Sequence, residues 1–250
     1  SGRGKLPVID AQQAVIGIVT RTDLLKHWAR THPTTAPRPL TVNVEQIIAG
    51  IGESALQLVS HIAQQAQKQG MALYMVGGVV RDIFLSRANF DIDFVMEGDA
   101  IAFTEALEAQ IGGRVSSHRP FGTAKWYIDA AVKQALGING PVPDHLDFVT
   151  ARNEFYPHPT ALPTVYRASI RLDAARRDFT INALAIQLSP LATQWRVQDL
   201  FGGLDDLERG FIRVLHSLSF VDDPTRILRG VRFSQRLQFA IEPRTAELIH

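Results

Sequence analysis

The stretch Tyr74-Met75-Val76-Gly77-Gly78-Val79-Val80-Arg81-Asp82, followed nine residues later by Asp91-Ile92-Asp93, decides how this chain is read. A short apolar run ends in a glycine pair, and a helical pattern with an early arginine follows. A second apolar run then carries two carboxylates at alternate positions. Successive strand residues point to opposite faces, so a strand over 90–96 would set Asp91 and Asp93 on one face and Ile92 and Phe94 on the other. Two adjacent carboxylates repel unless a cation neutralises them, and Mg²⁺ prefers carboxylate oxygens together with substrate phosphates. Glycines before a helix let backbone N–H groups approach an anion, although a lone glycine pair also suits a plain tight turn. Arg81 falls in the first helical turn, within reach of a triphosphate or simply paired with Asp82.

Composition narrows the setting. The chain has 250 residues, a net charge of +1 and no cysteine. That length admits one large domain or two smaller ones. Without cysteine there is no disulfide or thiolate chemistry, which fits a reducing cytosol. No apolar run approaches the length of a membrane span, and the first residues show no signal-peptide pattern. A near-neutral balance does not announce nucleic-acid binding; only a local basic patch could supply it.

Outward from the glycine pair, the chain divides into zones. Residues 1–31 read as strand, turn, strand and helix, too small to bury a core alone, and 32–43 read as a Pro/Thr-rich linker. Residues 44–217 form the long central zone. Ser54 is placed to cap a helix whose apolar positions 56, 59, 62, 63 and 66 recur at helical spacing, stopping near Gly70. The pattern predicts strands at 72–76, 90–96, 124–129 and 145–150, and helices at 79–85, from Asp99 through Leu107, and from Asp178 to Leu188. The prolines of 151–173 suggest a loop, and Asp199–Gly203 a turn. Residues 218–250 return to helix, with Pro224 suited to a first helical position. Both ends read as cut from a longer protein.

Other side chains could join the site. Asp147, within Leu146-Asp147-Phe148-Val149, is the candidate third acid of a two-metal centre. In Arg176-Arg177-Asp178-Phe179-Thr180-Ile181-Asn182, a helix would put Asp178 and Asn182 on one face, with Arg177 offering a planar fork to phosphate. Plain N-capping by Asp178 is the alternative. Arg226, Arg229 and Arg232 recur every three residues, a cationic stripe without intervening acids, with Ile227, Leu228 and Val231 opposite. A solvated face is its bland reading.

Four segments in order carry a resemblance. Gly77-Gly78-x-x-Arg81-Asp82 with Asp91-x-Asp93, then Arg176-Arg177-Asp178-Phe179-Thr180-Ile181-Asn182-Ala183, then Asp199-Leu200-Phe201-Gly202-Gly203 with Asp206-Leu207, then Asp223-x-x-Arg226-x-x-Arg229-x-x-Arg232-Phe233 resemble the motifs of the class II tRNA nucleotidyltransferases and their poly(A) polymerase relatives. The resemblance covers about residues 54–250. It implies an α+β fold: a polymerase-β-like head with a mixed sheet, followed by the start of an α-helical neck. It implies Mg²⁺ at Asp91 and Asp93, with Asp147 a less direct transfer. It implies that Gly77, Gly78, Arg81, Arg177, Asp178 and Asn182 serve the nucleotide's phosphates and ribose. Asp223 and Arg226 would face the base as a protein template, supported by Arg229 and Arg232. Asp222 departs from the family's usual Glu at that place, which leaves base preference open. The N-terminal Gly17-x-Val19-Thr20-x-x-Asp23 resembles the end of a CBS module, where Thr20 and Asp23 would hold a ribose if the module were complete. Some bacterial members carry a DHH domain and paired CBS modules before the head, so a CBS-mediated dimer is conceivable for the longer protein.

The implied activity is template-independent addition of C and/or A to tRNA 3′ ends from CTP or ATP, in the cytoplasm and away from membranes. The alternatives are poly(A) synthesis by the same chemistry, a CBS-type nucleotide sensor with a vestigial head, and a structural RNA-binding module.

Overall fold

The computed structural model describes residues 5–12, 14–20, 40–155 and 164–249. The chain divides into two compact units, Ser1–Pro39 and Leu40–His250. In the first, strands β1 (Lys5–Ile9) and β2 (Val15–Thr20) form an antiparallel hairpin. The helix read after Asp23, Asp23 itself, the side chain of Thr20 and residues 32–39 of the linker lie outside the described residues. The last residues of that linker belong to the second unit: Val42 N–H donates to the Trp195 carbonyl, and the Leu40 carbonyl accepts from Val197 N–H.

A seven-stranded mixed sheet organises the second unit, in the order β11-β10-β3-β4-β7-β6-β5. The strands are β3 (Ala72–Val76), β4 (Asp93–Glu97), β5 (Arg114–His118), β6 (Thr123–Tyr127), β7 (His145–Thr150), β10 (Ala185–Ser189) and β11 (Val197–Gln198). All neighbours run antiparallel except β4 and β7, which are parallel and pair Asp93 with Asp147. Alternation gives the two faces different fates. Leu73, Met75, Phe94, Met96, Leu146 and Phe148 point into the large core. Helices α1 (Val44–Ile51), α2 (Glu53–Lys68), α3 (Gly78–Phe84) and α4 (Ala100–Ile111) contribute buried residues to that core. Each buried Leu, Ile or Phe contributes about 1.5–3 kcal/mol of transfer free energy. Tyr74, Val76 and Val95 point the other way, into a small cluster with Ile170 of α6 (Ile170–Ala175). Asp93 and Asp147 lie on that second, thinly covered face, where their carboxylates stay within reach of a ligand.

Local chemistry explains the ends of these elements. Asn43 and Gln46 form a reciprocal capping box on α1, and Asp99 accepts from Ile101 and Ala102 N–H to start α4. Gly52, not Ser54, precedes α2, because α1 ends there and the chain turns at a positive φ of 81°. Asp199 accepts from Gly203 and Leu204 N–H and so starts α7 (Gly203–Arg209). The short α5 (Ala130–Ala135) is capped by Asp129.

Three expectations are corrected. The segment expected as a helix from Asp178 to Leu188 is a 3₁₀ turn, Thr180–Asn182, followed by β10, all five of whose residues are buried. A fully buried strand reads as a continuous apolar run, and periodicity cannot separate that from a buried helix. The expected loop over 151–173 contains a hairpin, β8 (Arg152–Phe155) and β9 (Thr164–Arg167), and then α6. Finally, the strand expected from residue 90 begins at Asp93. Asn89 accepts the Asp91 N–H at 2.8 Å, and this local turn keeps Asp91 off the strand. The two acids therefore do not share a β-face.

Past the head, β12 (Phe211–Ile212) pairs in parallel with β13 (Ala240–Ile241). Between them run α8 (Ser219–Asp222) and α9 (Thr225–Leu237), with α10 (Pro243–Glu247) following. Helix α9 does not sort its two sides by polarity: Ile227 packs against the core, but so does the side bearing Arg226. Arg226 is 6% exposed, whereas Leu228 is 75% and Val231 48% exposed. Gly230 permits the close approach of this side: a Cβ there would lie 3.2 Å from the Phe179 ring.

Candidate active site

Glycine turn and carboxylates meet at one end of a cavity of about 650 Å³. Val76 pairs with Asp93 across β3 and β4, so the next residue, Gly77, stands beside that carboxylate. Gly77 has φ +74°, and a Cβ on it would lie 3.2 Å from Arg177 Nη1 and 3.9 Å from Asp93 Oδ2. A side chain would fill the space where turn, arginine and acid converge. Asp91 lines the same cavity from its turn. Asp147 follows from the β4–β7 register; its Oδ2 lies 3.1 Å from Lys125 Nζ and 3.4 Å from His145 Nε2.

Behind this end runs a connected ionic network. Arg81 is 2% exposed, and its fork donates to both oxygens of Asp82, at 2.8 and 3.0 Å, and to Asn182 Oδ1 at 2.7 Å. Asn182 Nδ2 donates to Asp178 Oδ1, and Arg229 donates twice to Asp178 Oδ2, at 2.8 and 2.6 Å. Asn89 donates to Asp82 from the opposite side. The guanidiniums of Arg81, Arg229 and Arg236 each lie within 6 Å of the Phe233 ring. Arg81 is therefore a buried, paired arginine rather than a surface one. It fixes the wall on which Asn182 and Asp178 are mounted.

Asp173 holds the third side. It is fully buried and receives Arg176 Nη2 at 2.6 Å and Arg177 Nη2 at 3.1 Å. Burial pushes its carboxyl up, but the Arg177 and Arg176 charges and hydrogen bonds outweigh that and hold it below the usual range. Arg226 Nη2 donates to the Arg176 carbonyl and Nη1 to Ser219 Oγ, both at 2.8 Å. Its Nε then sits 3.9 Å from Asp223 Oδ2, while Asp223 Oδ1 accepts from the Thr225 N–H and hydroxyl.

Of the nucleotide residues named from the sequence, all but Arg232 line the cavity. Arg232 lies off its wall because residues three apart drift round a helix by about 60° at each step, whereas Arg226, Arg229, Phe233 and Arg236 follow the inward 3-4-3 spacing. Asp222 also points elsewhere, 3.7 Å from His216. Sequence reasoning missed Asn89, Asp173 and Arg236, and it missed Lys125 and His145 beside Asp147. The 3-4 spacing would have found Arg236. His145 precedes Asp147 by two, so strand alternation would have placed it on the same face.

The acidic end suits a hard cation. The Asp93 carboxyl is pushed up to about 6, by burial first and then by the Asp91 and Asp147 charges, with Arg177 and Lys125 pulling against them. Three carboxylates competing for too little positive charge is the situation a divalent ion resolves. Asp91, His145 and Asp147 also offer ligand atoms all within 4.8 Å of one another. A consequence can be measured. A raised carboxyl pKa means that the folded state holds the proton more tightly than the unfolded one, so ionising Asp93 costs stability as pH climbs toward and through about 6. A bound cation favours the ionised form. The rise in melting temperature caused by MgCl₂ is therefore expected to be small at pH 5 and large at pH 7.5; equal shifts at both would contradict this account.

Known proteins show the same build. The family model of the poly A polymerase head domain matches residues 73–213. The A-adding tRNA nucleotidyltransferase of Halalkalibacterium halodurans is 46% identical over 77% of this chain and 42% of its own length. The enzyme of that name from Geobacter sulfurreducens is 36% identical over 99% of this chain and 28% of its own length. The structure of the Thermotoga maritima CCA-adding enzyme complexed with tRNA superimposes with a TM-score of 0.69 at 37% identity, covering 85% of this chain and 44% of that one. The chain thus spans less than half the length of each of these relatives. No helix among the described residues is long and apolar enough to cross a membrane. A mixed sheet whose paired strands align two aspartates beside a glycine turn, matched over most of its length by these proteins, establishes that the chain belongs to the poly A polymerase head-domain family.

Proposed function

We propose that this chain is the nucleotide-transferring part of a template-independent tRNA nucleotidyltransferase, acting in the cytoplasm. The 3′-hydroxyl oxygen of the RNA attacks the α-phosphorus of ATP or CTP. One oxygen–phosphorus bond forms, the bond from that phosphorus to the pyrophosphate oxygen breaks, and the hydroxyl proton leaves to solvent. The observation that carries this reading is the convergence on the Gly77 turn, where a Cβ would lie 3.2 Å from Arg177 Nη1 and 3.9 Å from Asp93 Oδ2. Asp91 and Asp93 would hold Mg²⁺, which when bound supplies charge neutralisation at the reacting phosphate.

The chain's own residues position the nucleotide. Arg177 and Arg229 are half of one ion pair each, with Asp173 and Asp178, and keep further N–H groups for phosphate or ribose. Asp223 and Arg226 face the base. Asp accepts from an exocyclic amino group, and Arg donates to a ring nitrogen or carbonyl, so cytosine and adenine fit where uracil and guanine do not. The A-adding names of the two relatives favour ATP and RNA ends lacking only the terminal A. Residues 1–31 are read as part of a CBS module, on the resemblance of Gly17-x-Val19-Thr20-x-x-Asp23 alone.

Extension of tRNA transcripts lacking A, CA or CCA, with each nucleotide alone and in pairs, tests the reading. Addition of one A to ends lacking it is expected; no incorporation, or label from UTP and GTP alone, would overturn it. Arg226→Ala is expected to cut discrimination against UTP and GTP about tenfold or more. Unchanged selectivity would remove the protein template.

A further inference from the structure

A second hollow, of about 300 Å³, adjoins the nucleotide cavity at Asp91. Among the described residues, Asp91 is the one that lines both. Phe90 stands in this hollow 45% exposed, although an aromatic ring is ordinarily buried. His145 walls it, Val142 and Pro143 give it apolar surface, and the Asp144 carboxylate has no hydrogen-bond partner among the described residues. The transfer reaction brings two nucleotides to the same carboxylates, and the larger cavity accounts for one of them.

We propose that this hollow seats the terminal nucleoside of the acceptor RNA, its base against the Phe90 ring and its 3′-hydroxyl directed at Asp91. The inference rests on the transferase reading above. Asp144 supplies an acceptor for a hydroxyl or amino hydrogen of that nucleoside. The surface leading away is equally suited to a single strand. Across β5, β6 and β7 the register places Arg114, Tyr127 and His145 side by side. The Arg114 guanidinium lies 4.3 Å over the Tyr127 ring, and the Tyr127 and His145 rings are 5.9 Å apart. Stacking rings interleaved with cations is how single-stranded RNA is held without base pairing.

The test uses a minihelix RNA whose single-stranded end lacks the terminal A. Two readouts are taken: steady-state transfer from ATP, and fluorescence anisotropy with the same RNA ending in a 3′-deoxynucleotide. Stacking on one ring is worth about tenfold in affinity. Phe90→Ala is therefore expected to raise the KM and the Kd for RNA about tenfold while leaving the KM for ATP within about twofold. Phe90→Tyr, which keeps the ring, is expected to restore both. A rise in the KM for ATP with RNA binding unchanged would give the hollow to the incoming nucleotide and overturn the proposal, as would no effect of Phe90→Ala on either constant. A wild-type chain that binds the RNA end but transfers nothing would sink the transferase reading alone, and the Phe90→Ala effect on Kd would still decide this one.

Discussion

Asp93→Asn is expected to abolish nucleotide transfer, by at least about a thousandfold, the equivalent of ~4 kcal/mol of lost charge stabilisation at the reacting phosphate. The same variant is expected to fold as well as the parent or better. Asp93 is ionised at neutral pH against burial and against its neighbours Asp91 and Asp147, which is why its carboxyl is pushed up to about 6. An amide of the same shape removes that repulsion. In metal-free buffer at pH 7.5 the melting temperature should hold level or rise, and the gain from MgCl₂ should shrink. Loss of activity with loss of fold would make Asp93 a structural residue. Retained activity would remove it from the chemistry.

Asp173→Asn should show the opposite pattern, a large stability loss with a secondary loss of function. Asp173 is fully buried and holds both Arg176 and Arg177. Removing one partner of a buried ion pair typically costs ~3–5 kcal/mol, because the remaining charges stay desolvated. Chemical denaturation should report a loss of that size. The position of Arg226 depends on the Arg176 carbonyl, so the KM for ATP should rise about tenfold as well. The pH dependence has a definite sign. Asp173 is held below its usual range, so its contribution is present at neutral pH and disappears as acid protonates it in the folded state. The parent and the variant should therefore converge in stability at low pH. A variant as stable as the parent at pH 7 would show that the buried arginines find other partners.

How far the sequence could be read depends on which physical signal each part left behind. The glycine turn, the strand before it and the presence of two acids after it were legible because a turn, an apolar run and a charge pair are local; the shared face was misread because the Asn89 turn keeps Asp91 off β4. The strand bearing Asp147 was legible for the same reason, and its pairing with Asp93 completes the carboxylate end. Strand β10 was not, because full burial erases the alternation that marks a half-exposed strand. Strand β5, mostly exposed at the sheet edge, has a single apolar residue, Val115, too few to mark an alternation. Which side of α9 faces inward could not be read from its pattern. Hydrophobicity ordinarily marks the inner face of a helix, but here hydrogen bonds to Ser219 and the Arg176 carbonyl hold Arg226 inward. Asp173 and Asn89 carry no motif of their own. Their importance follows from which charges the folded chain brings to them.

Crystals of this chain grown with Mn²⁺ and a non-hydrolysable ATP analogue would test the central claim most directly. The account predicts an anomalous manganese peak bound by the Asp91 and Asp93 carboxylates, with the triphosphate between that peak and the Gly77–Gly78 turn. Manganese absent from those carboxylates while the analogue is bound, or a triphosphate lying away from the glycine turn, would contradict it.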